Sequence, residues 1–484
     1  MKKLALFLVV LGALWAGSTA YISHQTPSAL EAYLVKINKV YEIYGMKIKL
    51  IDYQKGFLAS SAKVELSMTN SALAEQVKEV LNLPMQTVYK IAHGPIFLKN
   101  GFGVGISKIS NELNYTEMFA EKIIKSFKND LILKGEMTIP FFQDAYYTAS
   151  TNALDIETDK QVKIHIEPLQ MQGTMNIETW KSKATAYLSQ IKIEKAQSPM
   201  IKLEDIVMNF DLKKFFDNGF YLMDMDSQIK KINMSSDNAS FQLKNAMASL
   251  DMVIDQNIDE SISVKFNIGI DLKESKLPAR MPQIKKAKLG INIGGMEMEG
   301  LMKTQNLGQK IQAVEAKQKS IFKRIKTAQT TEERRTAIKD LQAIQNELIH
   351  TMAEVYAGIL IKNKTTLSYS IDVTEQNNKQ SKVSITTTYV GDDLPSTGEA
   401  IVNKFKKEIF DLLTLKVDIQ LEESLLTEIS RSEKKKLKMM IQQGFVKQDN
   451  GRYILDAQYK SQTLTINDKD FSQILKPIMQ QLNQ

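Results

Sequence analysis

Apolar residues recur at every second position over most of this chain and at helical spacing in only a few stretches. The clearest alternation is Ile262, Val264, Phe266, Ile268, Ile270 and Leu272, separated by Ser263, Lys265, Asn267, Gly269 and Asp271. Such a segment has one apolar and one polar face, as in an antiparallel sheet with a wet side. Weaker alternations over 46–50, 64–68, 131–139, 289–293, 367–373 and 383–389 extend the pattern. Gly294-Gly295 marks a phase slip after which Met296 and Met298 continue in the opposite phase, which predicts a β-bulge. Asn450-Gly451 predicts a tight primed hairpin turn near the C-terminus, ahead of a last strand at Leu464 and Ile466 and a terminal helix.

Helical spacing is found elsewhere. Ser28 and Glu31 form a capping box ahead of Leu30, Leu34, Ile37, Val40, Tyr41 and Tyr44, and Gly45 ends the pattern. Residues 303–361 lack proline, and a second capping box at Thr330 and Glu333 predicts two helices there, 305–327 and 331–361. Ala337, Leu341, Ile344, Leu348 and Met352 give the second its apolar stripe, widened by Ile338. Further helices are expected at 397–413 and 422–443, with a short one within 116–127. The expected fold is α+β, dominated by long antiparallel sheets, with an N-terminal membrane helix and a helical insertion. Its regions are 1–23 (anchor or signal segment), 24–302 (β-rich), 303–362 (helical insertion) and 363–484 (C-terminal α+β).

The N-terminus changes the picture from a soluble chain to an exported one. Lys2 and Lys3 precede an uncharged run over 4–22, long enough to span a bilayer at the lower limit for a helix. Trp15 and Tyr21 suit an aqueous interface, and the lysines favour a cytoplasmic start with a periplasmic body. The alternative is a signal peptide cleaved after Ala20, with Ser18 and Ala20 as its small residues. That would leave a soluble periplasmic protein.

Composition narrows the chemistry. The 484 residues carry 63 Lys and Arg against 55 Asp and Glu, a formal charge of +8, which favours anionic head groups but is too dilute for nucleic acid. With no cysteine, disulfides, thiolate metal sites and a Cys nucleophile are excluded. Four histidines, His24, His93, His165 and His350, leave a poor supply for imidazole chemistry. No cofactor or metal is expected.

His93-Gly94-Pro95 looks most like a site, although a turn explains Gly and Pro, and no partner for His93 can be assigned from spacing. Asp224 and Asp226 share a polar strand face, but Ile229 stands where a calcium loop needs glycine. His165 alternates with Ile164 and Ile166 on a polar face. Lys434, Lys435, Lys436 and Lys438 suit either a solvated helix face or anionic lipid. Gly101, Gly103 and Gly105 lack the Gly-Lys-Ser/Thr of a phosphate loop.

The N-terminal segment, Tyr53-Gln54-Lys55-Gly56-Phe57 with Ser60-Ser61, His93-Gly94-Pro95, Gly444-Phe445-Val446 and the strands around Tyr453–Tyr459 and Leu464–Ile466 follow one another in order. This resembles the YdgA/YihF-like family of bacterial envelope proteins, a domain of unknown function. The resemblance implies an inner-membrane anchor and a periplasmic β-rich body in Gram-negative bacteria. It supplies no catalytic residue; Tyr53, Lys55, Gly56, Phe57, His93, Gly94 and Pro95 are family marks without a role.

The function expected is therefore non-enzymatic: an anchored envelope protein that binds or handles lipid or acts as a scaffold, partnered by the inner membrane through 4–22 and by lipid or another envelope protein. The face of Ile262, Val264, Phe266, Ile268, Ile270 and Leu272 is either an apolar groove or plain core covered by the helices of 303–361. The alternative function is an envelope hydrolase or other enzyme using His93.

Overall fold

In the computed structural model one unbroken helix, α1 (Lys2–Ile43), joins the N-terminal apolar run to the segment expected to begin a new helix at Ser28. Pro27 lies inside it, removing one helical amide bond without ending the helix. The structure describes residues 2–43, 45–69, 74, 78, 80–97, 103–195, 198–216, 219–236, 239–255, 261–276, 284–392, 394–426, 431–474 and 477. Two compact units are distinguishable: Met1–Ser227 with Asn233–Ala239, and Gln228–Ile232 with Ser240–Gln484. Among the described residues, no helix is long and apolar enough to cross a membrane.

In the first unit the strands are β1 (Met46–Gln54), β2 (Ala59–Met68), β3 (Met85–His93), β4 (Ile96–Phe97), β5 (Gly103–Val104), β6 (Ser107–Asn114), β7 (Ile132–Ile139) and β8 (Ala145–Thr151). They continue as β9 (Leu154–Glu157), β10 (Val162–Ile166), β11 (Leu169–Met175), β12 (Ser182–Lys195) and β13 (Met200–Phe215), after which comes β14 (Tyr221–Ser236). The order β1-β2-β3-β6-β7-β8-β11-β12-β13 is antiparallel throughout. β10 lies between β9 and the far half of β12. The helix expected within 116–127 is a 3-10 turn at Tyr115–Met118 and a single helical turn, α2 (Glu121–Ile124).

α1 packs against this sheet at several levels. Asn38 bonds Ile48 both ways, Nδ2 donating to its carbonyl at 2.8 Å and Oδ1 accepting from its amide at 2.7 Å, so the helix satisfies part of the free edge of β1. Tyr33 stacks on Trp180 at 5.2 Å, Trp180 lies 5.2 Å from Phe215, and the Lys36 ammonium sits 4.9 Å over the Trp180 ring. A cation over an indole contributes about 0.5–1 kcal/mol where the ammonium stays partly in water, as that of the half-buried Lys36 does.

The second unit is a meander. β15 (Ala239–Asp255), β16 (Ser261–Lys276), β17 (Ile284–Met296), β18 (Thr366–Glu375), β19 (Gln380–Tyr389) and β20 (Leu413–Glu422) pair antiparallel in chain order. β20 then pairs with β22 (Arg452–Lys460), which also holds β21 (Lys447–Asp449) and β23 (Thr463–Ile466). β24 (Lys469–Asp470) pairs with β23. β20 fills the interval between the helices expected at 397–413 and 422–443, with Leu415, Val417, Ile419 and Leu421 alternating within it.

The helical insertion is α3 (Met298–Thr327) and α4 (Thr331–Ala357), with the Thr330–Glu333 capping box formed at the start of α4. α3 begins earlier than the sequence suggested because the Glu297 carboxylate caps it, accepting from the amides of Glu299 and Gly300. Met298 is therefore helical and does not continue the strand, while the Gly294-Gly295 bulge is present as a register shift against β16. Gly295 has φ +63°, and a Cβ there would meet the Lys364 carbonyl oxygen at 2.3 Å. α5 (Gly398–Leu412) follows β19, and the helix expected over 422–443 shrinks to a 3-10 turn at Glu423–Leu426 and α6 (Arg431–Gln442). The Asn450-Gly451 turn has φ 48° and 77°, the left-handed pair a primed turn requires. The expected terminal helix falls largely outside the described residues.

Within this unit Ile262, Met296, Ile401, Leu412, Tyr459 and Ile466 are buried. Burying an Ile such as Ile262 contributes about 1.5–3 kcal/mol relative to exposure. The Tyr459 hydroxyl donates to the Phe410 carbonyl at 2.8 Å and its ring meets Phe410 edge-on, which seats α5 on the sheet.

Candidate functional site

The turn after Tyr53 and the turn at His93-Gly94-Pro95 meet on α1. Tyr53, next to last in β1, stands opposite Ala62, and the chain then turns through Lys55, Gly56 and Phe57 into β2. His93 closes β3, and Gly94 donates its amide to the Ile106 carbonyl at 2.9 Å ahead of a cis Gly94-Pro95 bond. Both glycines are demanded by close approach. A Cβ at Gly56 would lie 2.1 Å from the Ala59 carbonyl oxygen, and one at Gly94 only 1.6 Å from that of Gly105.

At the centre His93 is 1% exposed. Its Nε2 lies 2.8 Å from Ser60 Oγ, and its Nδ1 lies 3.5 Å from Thr26 Oγ1 on α1. The Gly56 amide donates to Ser60 Oγ at 3.1 Å, the Ser23 hydroxyl donates to the Gly56 carbonyl at 2.9 Å, and the Thr26 hydroxyl donates to the Ile22 carbonyl at 2.8 Å. One neutral tautomer satisfies all of these. Since Thr26 gives its only proton to Ile22, His93 Nδ1–H is the donor to Thr26, and Ser60 donates to the unprotonated Nε2. Burial, and then the positive charge of Lys55, push the imidazole below its ordinary pKa and favour that neutral state. Lys55 itself lies 3.3 Å from His24 Nδ1 on the helix. The arrangement is a latch between α1 and the β2–β3 pair.

Chemically, a hydroxyl on an imidazole is also the beginning of a nucleophile–base pair. What surrounds it differs from such a pair at work: the third partner on Nδ1 is a threonine hydroxyl in place of an orienting carboxylate, and both Ser60 and His93 are buried. Sequence spacing alone did not supply Ser60, which lies 33 positions away. Ser23 and Thr26 of the latch, with the buried Thr19 one turn earlier, are hydroxyls three or four residues apart on α1, a stripe the sequence does contain.

The remaining candidates stay apart from this site. His165 bonds Asp155 at 2.7 Å and lies 3.3 Å from Glu167; the Asp155 hydrogen bond is the main cause raising its pKa. Asp224 pairs with Lys213, and Asp226 accepts from Asn209 at 2.7 Å, both lining a concavity of about 520 Å³ with Lys183 and Asp211. Among the described residues no group of three His, Asp or Glu side chains gathers as a metal site. The lysines at 434, 435, 436 and 438 are exposed on α6. Gly103 and Gly105 have a packing role: a Cβ on either would approach the ring of the buried Phe97, at 3.0 Å and 3.2 Å. Gly101 lies outside the described residues.

In the second unit, Ile262, Val264, Phe266, Ile268, Ile270 and Leu272 occupy one face of β16. The register aligns that face with its neighbours. Ile268 stands opposite Leu289, which faces Ile371, Val383 and Ile419 in turn. Phe266 begins a parallel row through Ile291, Tyr369, Ile385 and Val417. Ile262 and Leu272 are buried at the two ends, whereas Ile268 is 41% and Ile371 46% exposed in the middle. The principal contacts of the helical insertion are α3 with α4 and α4 with α5.

The class this defines is a β-dominated protein with a long antiparallel sheet and an N-terminal helix latched onto β2 and β3. The chain belongs to a family of bacterial proteins of unknown function, DUF945, whose pattern matches residues 1–473. No curated protein and no solved structure was found to match it.

Proposed function

We propose that this chain is an inner-membrane-anchored periplasmic protein that acts without catalysis, holding the acyl part of a lipid against the apolar face of β16–β20. The observation that carries the reading is the row Ile268, Leu289 and Ile371, aligned across three strands and open to solvent in its middle. Soluble monomers rarely leave a contiguous apolar face of this kind uncovered. Each methylene buried there contributes about 0.8 kcal/mol. Lys2, Lys3 and the uncharged run over 4–22 support the anchor, and the net charge of +8 favours anionic head groups. The narrower resemblance to YdgA/YihF-like envelope proteins supports the same location.

The test is a photo-crosslinking residue at Ile268 in the full chain, in cells. Lipid adducts are expected, and they should disappear in Phe266→Asp while that variant still folds, because an open face tolerates a charge that a packed core rejects. No adduct in the parent, or an unfolded variant, would make the face plain core; protein adducts alone would favour a scaffold. A reporter active only in the periplasm, fused after Gln484, checks location independently.

An envelope hydrolase is the second reading, favoured by the 2.8 Å contact of Ser60 with His93. It requires covalent labelling of Ser60 by a fluorophosphonate, lost in Ser60→Ala. The latch reading expects no labelling.

A further inference from the structure

The end of the first unit nearest the start of α1 carries an exposed apolar cluster. Phe142 is 98% exposed in the turn between β7 and β8, with Phe141 beside it, ring centroids 6.1 Å apart. Val104, 60% exposed, pairs with the exposed Ile96 in the β4–β5 hairpin. Main-chain bonds hold these turns together: Gly105 donates to the Pro95 carbonyl at 3.0 Å, and Ile106 to that of Ile139 at 2.7 Å, directly before Pro140 and the two phenylalanines. α1 arrives at the same place. The Trp15 indole N–H reaches the Ile96 carbonyl at 3.5 Å, and its ring meets the exposed Phe57 edge-on at 6.2 Å.

This contact divides the apolar run. From Trp15 onward the helix is committed to the body: Thr19 is 0% exposed, and Ser23 bonds Gly56. Ahead of Trp15 lie residues 4–14, about 11 residues of helix or roughly 16 Å at ~1.5 Å per residue. A bilayer core is about 30 Å thick. That length of helix reaches only about half way, unless the body itself enters the membrane.

We propose that it does: the tip formed by Phe57, Ile96, Val104, Phe141 and Phe142 inserts into the outer leaflet of the bilayer that holds residues 4–14. For its orientation this rests on the anchor proposed above. Aromatic side chains favour the interfacial zone, and a rigid tip set beside the helix supplies the remaining depth. The tip also fixes the tilt of the first unit against the membrane, which a helix joined through a flexible linker would leave free.

The chain has no cysteine, so one introduced thiol labels a single site. Phe142→Cys and, separately, Leu8→Cys would carry an environment-sensitive fluorophore in the full-length protein, reconstituted in phosphatidylethanolamine/phosphatidylglycerol vesicles. A blue-shifted label at 142, quenched by lipid bearing a shallow doxyl group, is the expected result, with the label at 8 quenched by a deep doxyl group. Quenching at 142 but not at 8 supports the wedge while removing the anchored helix. Quenching at 8 with a water-like label at 142 overturns the wedge and leaves the anchor standing. A blue-shifted label at 142 that doxyl lipid fails to quench assigns the tip to a protein contact, and also overturns it.

Discussion

Ser60 and His93 face each other at 2.8 Å across β2 and β3, and the same imidazole reaches Thr26 on α1. The N-terminal helix is thereby tied to the sheet through a buried, neutral hydrogen-bond chain.

Ser60→Ala removes the donor to His93 Nε2 and the acceptor of the Gly56 amide together. A buried polar group left unpaired costs about 1–3 kcal/mol. A lower urea midpoint is expected for Ser60→Ala, and a change below experimental error would show that the chain of bonds carries no weight. Ser61→Ala, in the neighbouring position, is the control.

The latch should also be sensitive to acid. Burial and Lys55 place the folded pKa of His93 below the unfolded value of about 6.5. Below that value the unfolded chain binds the proton more readily than the folded one. The contribution is thus fully present above about pH 6.5 and lost as pH falls through the folded pKa. Denaturant titrations at pH 7.5 and 5.5 should show a larger loss of stability in the parent than in His93→Gln. Equal losses would remove His93 from the account.

Gly94→Ala tests the close approach at the second motif. Its Cβ would lie 1.6 Å from the Gly105 carbonyl oxygen, so β3 and the β4–β5 hairpin must move apart. A loss of about 3 kcal/mol is expected, at the upper end for overpacking. Gly17→Ala meets nothing within 4 Å and should be neutral or slightly stabilising. Similar thermal midpoints for the two variants would contradict the packing argument.

Glu422 in the second unit is buried, with Arg452 and Lys379 as partners, the latter at 3.2 Å. Burial alone would raise its pKa, but hydrogen bonds from Arg452 and Lys379 prevail and hold it below the ordinary value. Ser381 Oγ accepts from the Glu422 amide at 2.9 Å. Arg452→Met should cost about 2 kcal/mol, since a buried charge loses one of two half-exposed partners. Replacing Glu422 with Gln in the same variant should recover part of that loss; a double variant no better than the single one would argue against an uncompensated charge.

Local chemistry settled much of the architecture in advance. Alternation of period two placed β16, β18 and β19, because successive side chains in a strand point to opposite faces. The capping box at Thr330, the Gly294-Gly295 bulge and the Asn450-Gly451 turn were also legible, since each depends on residues within one or two turns of backbone. Where a long-range partner decides the outcome, local pattern failed. Ser28 offered a helix start that went unused, and Glu297 began α3 before its apolar period did. β20, between two expected helices, is fixed by pairing on both sides with β19 and β22.

The candidate sites divide in the same way. The sequence by itself determined the apolar face of β16, the positions of the glycines at 56 and 94, and the supply of hydroxyls along α1. Only the tertiary structure decided that Ser60, His93 and Thr26 form one bonded group, that Trp15 meets Ile96, and that Ile268, Leu289 and Ile371 stand in one row. Side-chain periodicity is a property of a few neighbouring residues, whereas a hydrogen bond or a register joins residues far apart in the chain. Which of them meet is set by how sheets and helix pack, information that no single segment carries.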